Sequence, residues 1–295
     1  MVTTALITEA DANPGESDYL AGELSADGIA VLRAGGAEIG SVEQPVTILV
    51  PFVSTQVSAA VMDRLCGLAL IATRSTGTDH IDVAEAARRG IAVMNVPDYG
   101  SVAVAEHTFA LLLALARLQP NQSPGTDLSG KTIGVIGTGA IGRHVMQIAH
   151  GFGMNVLAYD LEQRPGIRYA PLADVLAQAD IITLHIPATP ATHHFVNAET
   201  IAQMKDGVIL INTARGSLVD TRALSAALRS GKVAAAGLDV IEQLSDGEWG
   251  TALPNTIVTP HIAYNTREAI RRISGITLAN IRRWLREQPP ATRPR

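Results

Sequence analysis

Two side chains with complementary chemistry stand far apart in the sequence, each in a segment typical of a strand end. Arg215 lies in the motif NTARGS and His261 in the motif TPHIAYNT. A guanidinium can hold a carboxylate by two parallel hydrogen bonds, and an imidazole with a pKa of about 6.5 can take up or release a proton near neutral pH. This pair would suit proton and hydride transfer at a 2-hydroxy acid. In the alternative interpretation, Arg215 forms a surface ion pair and His261 is a buried histidine with satisfied hydrogen bonds.

A glycine-rich turn predicts where a dinucleotide would bind. Gly137, Gly139 and Gly142 follow an apolar strand at GxGxxG spacing, which permits a tight turn, a close approach to a pyrophosphate and close packing of the next helix. Asp160 ends the next strand, 18 residues after Gly142. A carboxylate there would bind the ribose hydroxyls and repel a 2′-phosphate, which favours NAD over NADP even with Arg164 nearby. Alternatively, Asp160 only caps its strand.

Other predicted strand ends also carry candidate cofactor contacts. His185 and Pro187 lie in LHIP, Thr213 precedes Arg215, and Asp239 lies in GLDV. Since the carboxyl ends of parallel strands share one edge of a sheet, these residues and His261 are expected near the nicotinamide.

A separate loop in the first part of the chain is a candidate substrate site. The stretch RSTGTDHID places Ser75, Thr76 and Gly77 after a strand, where backbone amides could hold a carboxylate. The alternative is a turn before a helix capped by Asp79. Tyr99 lies in the predicted hinge NVPDYGS and either faces the substrate or is packed.

The pattern of elements predicts an α/β protein with two open parallel-sheet domains. Strands are predicted before the glycines and at residues 4–8, 46–50, 68–72, 91–95, 155–159, 181–185, 208–212, 234–240 and 256–258. Helices are predicted at 57–65, 81–89, 102–118, 171–178 and 198–204, and between Asp220 and Gly231. A final amphipathic helix carries Ile270, Ile273, Thr277, Ile281 and Trp284. We expect a first part of the substrate domain over 1–98, a dinucleotide domain over 99–262 and a C-terminal return to the substrate domain over 263–295.

The composition excludes several function classes. The net charge is −5 without basic runs, which argues against nucleic acid as a partner. The single cysteine, Cys66, fits a reducing compartment and is expected to fill the core. No signal peptide is recognisable, and the apolar run at 109–116 is too short for a membrane span, so a cytoplasmic protein is expected. His193 and His194 are adjacent rather than at helical ligand spacing, and no metal site is predicted.

Taken together, the motifs resemble those of the D-isomer-specific 2-hydroxyacid dehydrogenases. The resemblance rests on RSTGTDHID, NVPDYGSVAVAEHTFALLLALAR, KTIGVIGTGAIG, LHIP, INTARGSLVD, AAGLDVIE and TPHIAYNT, and it is most similar to the D-lactate dehydrogenase branch. It implies an NAD-binding Rossmann domain inserted into a flavodoxin-like substrate domain, a homodimer, and a catalytic Arg, Glu and His. Arg215 then binds the substrate carboxylate and His261 is the acid/base. Matched cofactor contacts are Ala140, Ile141, Asp160, Ile186, Pro187, Thr192, Thr213, Ala214 and Asp239.

The sequence departs from this family at two places. The family glutamate, five residues after the aspartate of GLDV, falls on Leu244. Either Glu242, which we favour, or Glu248 replaces it, or His261 works without a carboxylate. The linker at 119–130 is also shorter than the segment that wraps the partner subunit in this family, which makes a homodimer less secure.

The sequence supports three hypotheses for the function. The leading hypothesis is an NAD-dependent dehydrogenase for a small D-2-hydroxy acid. Formate or phosphite oxidation on the same scaffold is the alternative that the missing glutamate keeps open. A non-catalytic NAD-sensing protein is the third, and the retention of both Arg215 and His261 argues against it.

Overall fold

The structure is a computed structural model that describes residues 3–8, 14–35, 39, 42–117, 124–242 and 253–287. The chain divides into two compact units. The first unit is Met1–Tyr99 together with Thr266–Arg295, and the second unit is Gly100–Asn265. Each unit contains one parallel sheet with helices on both faces, so the predicted α/β fold class is confirmed.

The sheet of the first unit has five strands in the order β2-β1-β3-β4-β5. This 2-1-3-4-5 order is that of flavodoxin-like folds, with a switch point between the first and third strands. The strands are β1 (Thr4–Thr8), β2 (Ala30–Ala34), β3 (Ile48–Val50), β4 (Leu70–Ala72) and β5 (Ala92–Met94). The helices are α1 (Pro14–Ala26), α2 (Ala59–Arg64), α3 (Val83–Arg88) and, from the end of the chain, α9 (Arg267–Glu287).

Alternation along the strands builds the core of the first unit. Ile7 of β1 packs on one face with Leu20 of α1 and with Ile281 and Trp284 of α9. Leu6, its neighbour in β1, points to the other face and packs with Met62 of α2. Since successive residues of a strand point to opposite faces, an apolar run such as TALIT suits a strand covered on both sides.

The sheet of the second unit has six strands in the order β11-β10-β9-β8-β6-β7, all parallel. The strands are β6 (Thr132–Ile136), β7 (Asn155–Tyr159), β8 (Ile181–Leu184), β9 (Val208–Asn212), β10 (Val233–Leu238) and β11 (Thr256–Val258). The helices are α4 (Ser101–Arg117), α5 (Ala140–Gly151), α6 (Leu172–Gln178), α7 (Ala198–Gln203) and α8 (Thr221–Ser230). The chain order reverses between β6 and β8, which is where doubly wound sheets bind their ligands.

Helix ends follow the expected chemistry with one correction. The carboxylate of Asp220 accepts hydrogen bonds from the amides of Arg222 and Ala223, and Gly231 ends α8 with a φ of 79°. The cap of α3 is Asp82, whose side chain accepts from the Glu85 amide, and not Asp79.

Four further features of the structure concern expectations from the sequence. Cys66 is exposed, so the expectation that it fills the core is wrong. Helix α1 and strand β2 were not predicted. The first five residues of the short linker predicted at 119–130, residues 119–123, lie outside the described residues. Among the described residues, no helix combines the length and the apolar character needed to cross a bilayer.

A buried ion pair links α1 to the end of β4. Arg74 and Glu16 are 2% and 8% exposed, and the Arg74 Nη1 atom donates to Glu16 Oε2 at 2.8 Å. The Nη2 atom donates to the Thr8 carbonyl at 2.6 Å, and the Ser274 hydroxyl of α9 donates to the other oxygen of Glu16 at 3.4 Å. The guanidinium therefore depends on Glu16 to neutralise its charge away from water.

We predict that Glu16→Ala lowers the free energy of unfolding of the first unit by about 3–5 kcal/mol, because it leaves a buried arginine without its counter-charge. Urea unfolding followed by Trp284 fluorescence, after Trp249→Phe removes the other tryptophan, measures the change. The control is Asp18→Ala, which breaks the exposed Asp18–Arg33 pair and should cost less than about 1 kcal/mol. Equal losses in the two variants would contradict the prediction.

Candidate active site

The turn from β6 into α5 forms an open cradle at the start of a helix. A Cβ on Gly142 would overlap the carbonyl oxygen of Gly137, so the helix can pack this closely only with glycine there. Gly139 is the N-cap of α5, and a Cβ placed on it would meet no atom within 4 Å. Ala140 and Ile141 form the first turn behind it. Free space in front of helix amides suits a pyrophosphate, so the residues present fit a dinucleotide.

Asp160 lies directly after β7 and is joined to the same turn. Its Oδ2 atom accepts hydrogen bonds from the Thr138 amide at 2.6 Å and from the Thr138 hydroxyl at 2.8 Å. Partial burial alone would raise the pKa of this carboxyl, but the hydrogen bonds from Thr138 and Glu162 hold the pKa below its usual range. Asp160 is therefore an ionised carboxylate beside the glycine turn, where the sequence predicts a ribose contact.

The segment after β8 brings three predicted cofactor contacts together with His185. The His185 Nε2 atom lies 3.0 Å from the Thr183 hydroxyl, and burial lowers the pKa of His185 to about 3. This imidazole is therefore neutral near pH 7 and is not suited to donate a proton. Ile186 and Pro187 follow, and the Thr192 hydroxyl donates to the Pro187 carbonyl at 2.7 Å, which closes the turn.

A buried asparagine holds the segment that carries Arg215. Asn212, the last residue of β9, accepts from the Ala214 amide at 3.0 Å and donates to the Arg215 carbonyl at 2.8 Å. The hydroxyl of Thr213 lies 3.1 Å from that of Thr108 in α4. Arg215 itself is half-buried and comes just before the 3-10 turn Gly216–Leu218. The side chain of Asn212 thus fixes the backbone from which the guanidinium extends.

A buried carboxylate holds the segment that carries His261. Asp239, after β10, is 1% exposed. Its Oδ1 atom accepts from the Thr259 hydroxyl at 2.6 Å and from the Ile262 amide at 2.9 Å, and its Oδ2 atom accepts from the Ala263 amide at 2.9 Å. The donors lie both before and after His261 in the chain. Asp239 was predicted as a cofactor contact, and the structure also makes it the anchor of the histidine segment.

The segment also constrains the His261 backbone and its surroundings. His261 has a φ of 56°, in the left-handed region, and its amide donates to the Asp239 carbonyl at 2.9 Å. The ring lies edge-on to that of Tyr264, with centroids 6.2 Å apart. The Nε2 atom of His107 in α4 lies 3.0 Å from the Thr259 hydroxyl and 3.6 Å from Asp239 Oδ1.

Glu242, the favoured substitute for the family glutamate, lies against two other histidines. Its Oε2 atom is 2.6 Å from His194 Nε2, and its Oε1 atom is 3.5 Å from His193 Nε2. Its predicted role toward His261 stays a prediction. Leu244 and Glu248 lie in 243–252, outside the described residues.

The predicted substrate loop belongs to the first unit, at the carboxyl end of β4. Ser75 is buried and donates to the Gly77 carbonyl at 2.7 Å, and the Thr76 hydroxyl donates to the Val96 carbonyl at 2.8 Å. Because both hydroxyls are already bonded within the protein, the backbone amides are the more suitable groups for a carboxylate. Tyr99 is 8% exposed, and its carbonyl accepts from Arg272 Nε at 2.7 Å.

Sequence reasoning missed three supporting side chains, namely Asn212, Thr259 and His107. A polar residue at the end of an otherwise apolar strand was the available signal for Asn212. His107 interrupts the apolar pattern of α4, which was the signal for a buried polar contact. Their partners lie as far as 152 residues away, and local pattern does not reveal such pairs.

Comparison with known proteins agrees with this arrangement. Residues 102–263, more than half of the chain, match the family described as D-isomer specific 2-hydroxyacid dehydrogenase, NAD binding domain. A 2-hydroxyacid dehydrogenase homolog of Haemophilus influenzae is 39% identical over 265 residues, which cover 78% of this chain and 80% of that protein. A glycerate dehydrogenase of Methylorubrum extorquens is 38% identical over 282 residues, or 88% and 86% of the two chains.

A solved structure extends the similarity to nearly the whole chain. The D-lactate dehydrogenase from Aquifex aeolicus, complexed with NAD and lactic acid, superposes with a TM-score of 0.81 at 33% identity. The match covers 96% of this chain and 95% of that one.

Two glycine variants should separate cofactor contact from packing. Gly139→Ala points a methyl group into open space, so we expect unchanged stability and weaker NADH binding. Gly142→Ala forces the start of α5 away from β6, so we expect a loss of stability of about 1–3 kcal/mol, with NADH binding weakened as a consequence. Thermal unfolding and NADH fluorescence titration measure the two effects. Unchanged NADH affinity in Gly139→Ala would contradict the position given to the pyrophosphate.

Proposed function

Because the chain belongs to the D-isomer-specific 2-hydroxyacid dehydrogenase family, we propose that it interconverts a small 2-oxo acid and its D-2-hydroxy acid. It is an NAD-dependent oxidoreductase. Arg215 is proposed to bind the substrate carboxylate, and His261 is proposed to exchange a proton with the substrate oxygen. The observation that carries this proposal is the anchoring of both segments at the same edge of one sheet, by Asn212 at the end of β9 and by Asp239 after β10.

The proposed reaction divides the work between cofactor and protein. The glycine turn, Asp160 and the segments after β8, β9 and β10 would hold the dinucleotide, which would supply or accept the hydride. Arg215 orients the substrate through its carboxylate. In reduction, protonated His261 gives its proton to the carbonyl oxygen, and in oxidation the neutral ring takes the proton of the hydroxyl. His185 takes no part in this proton transfer, because its low pKa keeps it neutral.

Further parts of the proposal rest on the family and on the sequence. Ser75, Thr76, Gly77 and Tyr99 are proposed to contribute to substrate binding from the first unit. A cytoplasmic homodimer is proposed as the assembly. Sedimentation of the purified protein at its chain mass of 31.0 kDa, or its recovery from a secreted fraction, would contradict these two points.

The substrate is proposed from the names of related proteins together with the site. The similar proteins above are named for glycerate and for D-lactate, which share a carboxylate beside a secondary hydroxyl. Formate or phosphite oxidation is kept as the second candidate, because Leu244 replaces the family glutamate. Neither oxidation removes a proton from a 2-hydroxyl group, which is the step that the glutamate would assist through His261.

A substrate panel tests the proposal. We expect NADH oxidation with at least one of hydroxypyruvate, glyoxylate and pyruvate, and no NAD reduction with formate or phosphite. His261→Ala should lose about 10²–10⁴-fold in kcat while retaining NADH binding, since general acid catalysis contributes about that much. Arg215→Lys keeps the charge but loses the planar fork, so it should raise KM relative to the wild type. Undiminished turnover by His261→Ala would overturn the proposed mechanism.

A second test concerns the acid partner of His261. A nearby carboxylate raises an imidazole pKa, and in reduction the rate falls as pH rises through that pKa. If Glu242 serves His261, Glu242→Gln moves this falling limb to lower pH by about one pH unit. The matched control is Glu199→Gln, an exposed acid at the start of α7. A pH profile that is the same in Glu242→Gln and in the control would exclude Glu242 from this task.

A further inference from the structure

A cluster of two histidines and one glutamate lies in the second unit and has the donor set of a metal site. One ligand atom from each of His193, His194 and Glu242 can be chosen so that all three lie within 4.8 Å of one another. The two oxygens of Glu242 each face a different imidazole, at 2.6 Å for His194 and 3.5 Å for His193. The side chains are 53%, 34% and 25% exposed for His193, His194 and Glu242, so the cluster is open to solvent on one side.

The backbone explains how adjacent histidines come to face one carboxylate. Neighbouring side chains diverge in a regular helix or strand. His194 instead has a φ of 50°, in the left-handed region, and the two rings lie with centroids 3.9 Å apart. This conformation costs about 1–2 kcal/mol for a residue with a Cβ, and it is held by the His194 amide, which donates to the Ser217 carbonyl at 2.8 Å. The sequence analysis predicted no metal site because it considered only regular spacing.

The distances suit a tetrahedral cation with little rearrangement. Zn²⁺ binds imidazole nitrogen and carboxylate oxygen at about 2.0–2.2 Å, so neighbouring ligands in a tetrahedral site lie about 3.4 Å apart. One ligand atom from each of the three residues already lies within 4.8 Å of the other two, so no pair has to approach by more than about 1.4 Å to reach this separation. Imidazole and carboxylate together favour Zn²⁺, Co²⁺, Ni²⁺ and Cu²⁺ over Mg²⁺ or Ca²⁺.

We propose that His193, His194 and Glu242 bind a first-row divalent transition-metal ion, with water in the fourth position. The ion joins the turn at 192–196 to the segment after β10. The segment after β10 lies against the 3-10 turn that follows Arg215, because a Cβ on Gly216 would overlap the Ile241 carbonyl. The turn at 192–196 contacts the same 3-10 turn through the hydrogen bond from the His194 amide to the Ser217 carbonyl. The bound ion therefore restricts the motion of the 3-10 turn next to Arg215 and stabilises the folded state. This proposal does not depend on the roles proposed for Arg215 and His261, but a Glu242 carboxylate that binds the ion is not free to serve as the acid partner of His261.

Direct metal binding tests the proposal. Protein freed of any histidine tag and stripped with EDTA is titrated with ZnCl₂ by calorimetry, and Co²⁺ is added separately to record its visible absorption. We expect one Zn²⁺ per chain, a tetrahedral Co²⁺ spectrum, and a Tm rise of about 5 °C at a Zn²⁺ concentration 100 times Kd. His193→Ala and His194→Ala should each lower the affinity at least tenfold. His150→Ala, which removes an exposed histidine at the end of α5, is the control and should bind as the wild type does.

Each result decides for or against the site. His193 is half exposed, so His193→Ala should fold with the metal-free Tm of the wild type, and its loss of binding then reports a lost ligand. The proposal is overturned by the absence of Zn²⁺ binding up to millimolar concentration. Binding that survives both histidine variants, or that is lost equally in His150→Ala, would also overturn it.

Discussion

The segment that carries His261 depends on the buried carboxylate of Asp239. A carboxylate removed from water is costly unless hydrogen bonds compensate it. The Asp239 carboxylate accepts hydrogen bonds from Thr259, Ile262 and Ala263, which all belong to the segment that contains His261. The charge and the segment therefore stabilise each other. The left-handed backbone of His261 is held between these bonds, so the position of the imidazole is set by a residue 22 positions earlier.

Polar side chains at other strand ends of this sheet also hold a loop by hydrogen bonds. Asp160 after β7 accepts hydrogen bonds from the amide and the hydroxyl of Thr138 in the glycine turn, and the side chain of Asn212 at the end of β9 bonds to the Ala214 amide and the Arg215 carbonyl. In a parallel sheet these ends share one edge, where irregular backbone would otherwise leave buried polar groups unpaired. Hydrogen bonds between a side chain at a strand end and a nearby loop thus hold both the predicted cofactor contacts and the segments of Arg215 and His261, the two residues proposed to act on the substrate.

The sequence predicted the bounds of strands best where a short apolar run is also buried in the structure. β1, β7, β9 and β11 have the predicted bounds because they are short apolar runs between turn residues. Helix α1 was missed because it begins with Pro14 and Gly15 and lacks a clear apolar stripe. Strand β2 was missed because it is an edge strand in which no residue is fully buried. Pairs such as Arg74 with Glu16, or His194 with Glu242, join residues 58 and 48 positions apart. Only the folded chain brings such side chains together.

The exposed position of Cys66, between α2 and β4, has a practical consequence. Since the chain has one thiol and that thiol faces solvent, a maleimide dye attaches once per polypeptide. Counting photobleaching steps of single labelled particles then gives the number of chains in an assembly without cross-linking. The same thiol can join two molecules by a disulfide in air, so purified material needs a reductant during storage.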